Sequence, residues 1–139
     1  MLRCPLFPDI PPALRKWHEV GVRIVIYSSG SVAAQKLLFQ YTDAQPQPDL
    51  RPLIEAYFDT VNAGPKQERE SYVKIAVERD VEVGKWLFLS DNVAEVEAAK
   101  EAGMQSLVVV REGNAALTVE ERARNAVVES FGEIRIKRV

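Results

Sequence analysis

The sequence has little cysteine and histidine: Cys4 and His18 are the only residues of their kinds among 139. A lone cysteine cannot close an internal disulfide, and no signal-peptide pattern opens the chain, so the cytoplasm is the expected compartment, with the nucleus as a further option in a eukaryote. One histidine and one cysteine exclude a zinc site built from these residue types. A Ser-His-Asp triad would depend on His18, for which a surface position is favoured.

The sequence also lacks a charge excess and long hydrophobic runs. Its 18 Lys and Arg residues nearly balance 20 Asp and Glu residues, giving a net charge of −2, so we expect neither nucleic acid nor an anionic membrane as a partner. The apolar runs at residues 24–27 and 107–110 are far shorter than the ~20 residues of a membrane helix. With 47% hydrophobic and 27% charged residues, the composition predicts one globular domain over residues 1–139.

Short β-branched runs alternate with longer amphipathic runs, a pattern typical of alternating strands and helices. It predicts an α/β fold, a Rossmann-like three-layer sandwich with a mostly parallel sheet. Buried strands are predicted at residues 23–27, 86–89 and 106–110. Other strands are predicted at residues 56–59 and near Ile134 and Ile136.

Helix boundaries are indicated by proline, glycine and capping patterns. The first predicted helix opens at the proline pair at residues 11–12 and ends at Gly21, with three inward positions, Leu14, Trp17 and Val20. Residues 42–51 are predicted to be a surface loop or a short insertion, because they are rich in Gln, Pro and Asp and show no periodicity. Further helices are predicted after Ser31, over residues 67–79 with Tyr72, Ile75 and Ala76 on one face, over residues 93–102 before Gly103, and from the capping-box spacing of Thr118 and Glu121.

Polar groups of three kinds follow the predicted strands. Ser28-Ser-Gly follows the first strand, Lys66 the second and Asp91 the third. Ligands of such sheets bind outside the carboxyl ends of the strands, and hydroxyl, ammonium and carboxylate groups suit a phosphate with a divalent metal. Taken singly, the serines could cap a helix, Lys66 could be a solvated lysine, and Asp91 could cap the next helix. Taken together, the three strand ends favour a shared ligand.

Nearly the whole chain, from about residue 6 to residue 134, carries a family likeness. The most specific stretches are Ile26-Tyr-Ser-Ser-Gly-Ser31, Ala34-Gln-Lys-Leu-Leu-Phe39, Gly64-Pro-Lys66 and Leu87-Phe-Leu-Ser-Asp91. In this combination they resemble the enolase-phosphatases of methionine salvage, also called acireductone synthases, which are haloacid-dehalogenase-like phosphatases.

The resemblance implies a role for each strand-end group. Ser28 and Ser29 would bind the phosphoryl group of the substrate, and Lys66 would bind it and act in catalysis by neutralising its charge. Asp91 would be a ligand of Mg²⁺, and Glu95 would orient Lys66 or the metal shell. The implied reaction is enolisation of a 2,3-diketo-5-methylthiopentyl 1-phosphate, then hydrolysis of the ester to an acireductone and phosphate. The implied partner is thus a small-molecule phosphate ester, and the full-length form is expected to be a monomer.

One part of the family pattern has no match in this sequence. The nucleophilic aspartate of an Asp-x-(Asp or Glu)-Gly-Thr motif is missing, and Asp59, which follows a predicted strand, lacks the Gly-Thr. The family's helical cap and central first strand also have no counterpart, so the core is expected to be incomplete. We therefore expect a C-terminal portion of an enolase-phosphatase that is inactive alone; the alternative is a non-catalytic phosphate-binding or interaction module derived from that fold.

The missing central strand also has a consequence for folding. The strands at residues 23–27 and 86–89 would either pair directly in a new register or leave unpaired edges. The chain is then expected to fold less stably than its composition suggests, or to self-associate.

Overall fold

A computed structural model describes residues 7–136 of the chain. The helices are α1 (Ile10–Glu19), α2 (Val32–Gln40), α3 (Arg69–Glu78), α4 (Val93–Ala102) and α5 (Val119–Arg124). The strands are β1 (Val25–Tyr27), β2 (Ala56–Phe58), β3 (Leu87–Ser90), β4 (Gln105–Val109) and β5 (Val127–Val128). The alternation confirms the predicted α/β class. Within the described part of the chain, no helix is long and apolar enough to cross a membrane.

All strand pairs are parallel, and they form two sheets. In the first sheet β1 pairs with β2, in register from Val25 with Ala56 to Tyr27 with Phe58. In the second sheet the order is β3-β4-β5. Over residues 7–136, β1 therefore pairs only with β2, and β3 only with β4. Of the two expected outcomes, direct pairing of these strands or unpaired edges, the structure has the second.

The contacts divide the chain into two compact units, Met1–Asn62 and Ala63–Val139. The prediction of a single domain over residues 1–139 stays a prediction. In the first unit, a buried cluster joins α1 to the loop before β2, with Trp17 packed at its margin. Its members are Leu14, Ile24, Ala44, Leu50 and Ile54.

The core of the second unit lies where α3 and α4 pack together beside β3 and β4. Tyr72, Ile75 and Ala76 of α3 are 0%, 3% and 4% exposed, which confirms the predicted inward face of this helix. Val96 of α4 and Val108 of β4 are fully buried in the same unit. The apolar faces of α3 and α4 thus pack these helices beside the sheet in which Asp91 follows β3.

Several predictions about single elements are wrong. Val20 is 41% exposed, because the chain leaves the helix there and turns through Gly21, whose φ is +89°. Leu87 is 37% exposed, so the strand at residues 86–89 is not fully buried. The terminal strand predicted near Ile134 and Ile136 is absent from the described residues; β5 lies earlier, and a short 3₁₀ turn at Phe131–Glu133 follows it.

The loop at residues 42–51 has no helix before Arg51 and no strand, as predicted, yet it is partly anchored in the core. Thr42, Ala44 and Leu50 are buried, and the Thr42 hydroxyl donates to the Pro48 carbonyl. A sequence without periodicity can therefore still contribute side chains to the core.

Candidate functional site

In the first unit, the serine loop, residues 28–31, joins the end of β1 to α2. Ser31 caps α2, with its Oγ accepting from Ala34 N at 3.1 Å. Ser28 and Ser29 are not the cap: Ser28 Oγ accepts from Gly30 N at 3.3 Å, and Ser29 is exposed. Capping therefore accounts for Ser31 and leaves the hydroxyls of the two preceding serines at the carboxyl end of the strand.

Asp59, directly after β2, contacts the first turn of α2. Its carboxylate accepts from Val32 N at 3.1 Å, Val61 N at 3.0 Å and Asn62 N at 2.9 Å. The hydrogen bond from Asn62, together with those from Val32 and Val61, outweighs burial and holds the pKa of Asp59 below its ordinary value. Asp59 therefore ties the end of β2 to the helix that follows the serine loop.

In the second unit, the turn that leads to Lys66 begins with a glycine in a left-handed backbone conformation. Gly64 has a φ of +115°, and a Cβ there would lie 2.7 Å from Ser71 Oγ. Ser71 Oγ donates to the Pro65 carbonyl at 2.7 Å, and the Tyr72 hydroxyl donates to the carbonyl of Lys66. Two side chains at the start of α3 thus hold the backbone of the lysine turn, residues 64–66.

The Lys66 side chain forms an ion pair with Glu95. Its Nζ lies 2.7 Å from Glu95 Oε1, and the two side chains are 22% and 11% exposed. Ser90 Oγ, at the end of β3, donates to the same Glu95 oxygen at 3.2 Å. Asn92 caps α4 by accepting from Glu95 N at 3.1 Å. The reading of Lys66 as a solvated lysine is therefore wrong, because its ammonium is held beside the end of β3.

Asp91 follows β3 and is exposed. The alternative that it caps α4 is wrong, because Asn92 holds that position. Asp91 Oδ2 accepts from Asn114 Nδ2 at 3.1 Å, and Asn114 Oδ1 accepts from Arg111 N at 2.7 Å. The loop after β4 thus fixes one oxygen of the carboxylate.

The donor set around Asp91 determines which metals it suits. Over residues 7–136, no group of three or more His, Cys, Asp or Glu side chains could enclose a metal ion. Mg²⁺ commonly takes one or two protein carboxylates and completes its shell with water and phosphate oxygens. A single exposed carboxylate at a strand end fits one ligand of such an ion.

The structure places the predicted site residues in both units. Ser28 and Ser29 lie in the first unit, whereas Lys66, Asp91 and Glu95 lie in the second. Three further polar residues contact the segments that carry the predicted site residues: Gln35, Asp59, which lacks the Gly-Thr of the nucleophile motif, and Asn114. Asp59 and Asn114 were detectable because each is a polar residue in the segment that follows a strand. Gln35 lies within the family-like stretch Ala34-Gln-Lys-Leu-Leu-Phe39, but the sequence does not indicate the two backbone carbonyls that it binds.

Parallel strands that alternate with helices define an α/β fold, and polar groups follow the strands β1, β2 and β3. The chain belongs to the haloacid dehalogenase-like hydrolases, whose family model matches residues 2–103.

Among curated proteins, the chain is similar to fungal enolase-phosphatases, as the sequence resemblance predicted. It is 57% identical over 145 residues to "Enolase-phosphatase E1" of Botryotinia fuckeliana. It is 57% identical over 135 residues to the protein of that name from Neurospora crassa. Each match covers 96% of this chain and 57% of the relative, so the chain spans little more than half the length of these relatives.

Among solved structures, the chain is similar to the UTR4 protein of Saccharomyces cerevisiae, with a TM-score of 0.83 and 34% identity. That match covers 96% of this chain and 59% of the yeast chain. An L-2-haloacid dehalogenase matches with a TM-score of 0.72 over 94% of this chain and 55% of its own length. Its identity is 18%, so this second likeness concerns the fold alone.

Proposed function

We propose that this chain is the phosphate- and magnesium-binding portion of an enolase-phosphatase, which acts on a small 2,3-diketo-5-methylthiopentyl phosphate ester. The observation that carries the proposal is the 57% identity, over 96% of the chain, to proteins named enolase-phosphatase. The geometry supports it, because hydroxyl, ammonium and carboxylate groups stand at strand ends, where ligands of parallel sheets bind.

In this proposal Ser28 and Ser29 bind the phosphoryl oxygens through hydroxyl and amide donors. Donors that are fixed before the reaction stabilise charge at little reorganisation cost. Lys66 neutralises the phosphate as a compact positive charge, and Glu95, 2.7 Å from its Nζ, holds the ammonium in place. Glu95 is thus a positioning residue, since it acts through Lys66.

Asp91 is proposed as a magnesium ligand. A bound Mg²⁺ supplies charge neutralisation between a dianionic ester and an anionic nucleophile. Asn114 holds Asp91 Oδ2 at 3.1 Å and so orients the carboxylate that would meet the ion.

The 139 residues contain no Asp-x-(Asp or Glu)-Gly-Thr sequence. In the proposed phosphatase such an aspartate attacks phosphorus and breaks the P–O ester bond, so that the alcohol leaves, and water then cleaves the aspartyl-phosphate to release inorganic phosphate. We therefore expect the chain by itself to bind phosphate and magnesium without turning over a phosphate ester.

Titration of the chain with inorganic phosphate, with and without MgCl₂, tests the proposal. Removing one charge-assisted contact costs about 1.5–3 kcal/mol, or roughly 10- to 150-fold in affinity. We expect Lys66→Met to weaken phosphate binding by at least tenfold, and Asp91→Asn to abolish the effect of magnesium. Lys74→Met, which removes an exposed lysine of α3, is the matched control and should change neither.

Two outcomes would contradict the proposal. If the unsubstituted chain, Lys66→Met and Ser28→Ala bind phosphate with equal affinity, neither Lys66 nor Ser28 is a phosphate-binding residue. Turnover of a phosphate ester by the 139 residues, lost in Asp91→Asn, would show that a nucleophile is present after all.

A further inference from the structure

Gln35, in the first turn of α2, connects the serine loop to β2. The residue is 4% exposed. Its Nε2 donates to the Gly30 carbonyl at 2.7 Å and to the Phe58 carbonyl at 2.9 Å. The Phe58 carbonyl also accepts from Ser28 N at 3.1 Å. One buried amide group thus uses both of its hydrogens to bind the loop and the end of the neighbouring strand.

The oxygen atom of this amide, Oε1, indicates which contacts of Gln35 require a glutamine. Because two carbonyl oxygens face the nitrogen, the amide orientation is fixed, and Oε1 points elsewhere. Gln35 Oε1 is buried and has no hydrogen-bond partner within residues 7–136. A buried acceptor without a partner is unfavourable, so filling the space does not by itself favour glutamine over leucine or methionine. The two donated bonds are therefore the contribution specific to glutamine.

These bonds determine which way the peptide groups of the loop point. In a trans peptide the carbonyl and the following N–H point in opposite directions. Since Gln35 binds the Gly30 carbonyl from the buried side, the N–H of Ser31 is turned toward the outer side of the loop. Ser28 Oγ accepts from Gly30 N, so its hydroxyl hydrogen remains a donor.

We infer that Gln35 is a positioning residue for phosphate binding. It fixes the Gly30–Ser31 peptide so that the loop presents its N–H and hydroxyl donors to a tetrahedral dianion. The inference rests on the proposed role of Ser28 and Ser29 in binding phosphate. In this inference, Gln35 affects phosphate binding from inside α2 without contacting the ligand.

The first test keeps the side-chain volume and removes the donors. Gln35→Met in the complete chain should retain the far-UV circular dichroism spectrum and weaken binding of inorganic phosphate by about five- to tenfold, which corresponds to the loss of one neutral hydrogen bond between the serine loop and the phosphate. Gln40→Met, at the last residue of the same helix, is the matched control and should bind as the unsubstituted chain does. Equal phosphate affinity in Gln35→Met and the unsubstituted chain, while Ser28→Ala loses binding, would overturn the inference.

A pH profile separates positioning from packing. In Gln35→Glu an ionised carboxylate would face two carbonyl oxygens, whereas the protonated form donates one hydrogen bond. Burial raises the pKa of such a carboxyl, so the protonated form should return between about pH 8 and pH 5. Asp59, which contacts the same turn of α2, has a lowered pKa and stays ionised over this range.

The probe for this series is sulfate, a tetrahedral dianion whose charge does not change over the range. Sulfate affinity of Gln35→Glu, relative to the unsubstituted chain, should rise at least threefold as the pH falls, and Gln40→Glu should show no such rise. A flat ratio for Gln35→Glu would assign the residue to packing alone and overturn the inference. If the unsubstituted chain binds neither sulfate nor phosphate, the proposed function fails, and the inference fails with it.

Discussion

The Tyr72 hydroxyl offers a sharp test of how the lysine turn is held. Tyr72 is fully buried, its hydroxyl donates to the Lys66 carbonyl, and its ring meets Phe88 edge-on, with centroids 4.9 Å apart. Tyr72→Phe keeps the ring and its packing and removes only the hydroxyl oxygen. The substitution therefore tests the contact of the Tyr72 hydroxyl with the lysine turn.

The size of the effect follows from what the lost bond leaves behind. A typical hydrogen bond contributes about 0.5–1.5 kcal/mol, and a buried carbonyl left without its partner costs about 1–3 kcal/mol. Lys66 is only half-buried, so water can reach part of the turn. We expect Tyr72→Phe to lower the free energy of unfolding by about 1–2 kcal/mol.

Tyr57→Phe is the matched control, with the opposite expectation. The Tyr57 hydroxyl is buried and has no hydrogen-bond partner in the described residues. Burial also raises the pKa of Tyr57, because it disfavours the charged form. Removing this hydroxyl removes an unpaired polar group, so Tyr57→Phe should leave stability unchanged or increase it.

Urea unfolding followed by circular dichroism at pH 7 measures both variants, and the midpoint and slope give the free energy of unfolding. A phosphate titration in parallel shows whether the lysine turn has loosened. The stabilising role of this hydroxyl is refuted if Tyr72→Phe has the stability of the unsubstituted chain. It is equally refuted if Tyr57→Phe loses as much as Tyr72→Phe, since the hydroxyls would then be equivalent.

Three further predictions concern single residues. Gly64→Ala should destabilise the chain by at least about 1 kcal/mol, because a left-handed φ and contact with Ser71 both oppose a Cβ; Gly84→Ala, with open space around it, should cost much less in urea unfolding. The lowered pKa of Asp59 gives stability that is present above about pH 4 and lost as the pH falls through the folded-state value, and Asp59→Asn should remove this part of the pH dependence. Thr118→Ala should cost about 1 kcal/mol by removing the cap of α5, detected as a lower urea midpoint.

The elements predicted well are those defined by local signals. The predicted helix at residues 93–102 is confirmed at both ends, because Gly103 adopts a φ of +105° that stops it. The capping box of Thr118 and Glu121 is also confirmed, with both reciprocal hydrogen bonds present. Such signals act within one turn of chain, so the sequence contains all the information they need.

The predicted position of the terminal strand was wrong because a strand forms where it pairs with another strand, and that partner is distant in the sequence. The prediction was based on the apolar residues Ile134 and Ile136, whereas the strand forms at Val127–Val128, which pairs with β4. A strand of two residues has no internal periodicity to read. Ile134 is buried all the same, so its apolar character reported burial and not strand pairing.

The candidate site also combines residues that the sequence indicates with residues that it does not. The strand-end rule predicts Ser28, Lys66 and Asp91 as site residues because each follows a predicted strand, and their roles stay a prediction. It could not find Gln35 or Tyr72, whose partners are backbone carbonyls of another segment. Nothing in a side chain's own identity shows which carbonyl it will meet after folding.

The exposure of Leu87 in β3 shows that an apolar strand sequence does not guarantee a fully buried strand. A strand covered on both faces in a parallel sheet is apolar along its whole length, and Leu87-Phe-Leu89 fits that description. Yet Leu87 is 37% exposed, and over residues 7–136 β3 has a partner on only one edge. The composition of β3 is therefore that of a strand inside a wider sheet than the one it forms here. An apolar strand with an open edge is a template for pairing with another chain, so β3 is where self-association, still a prediction, would begin.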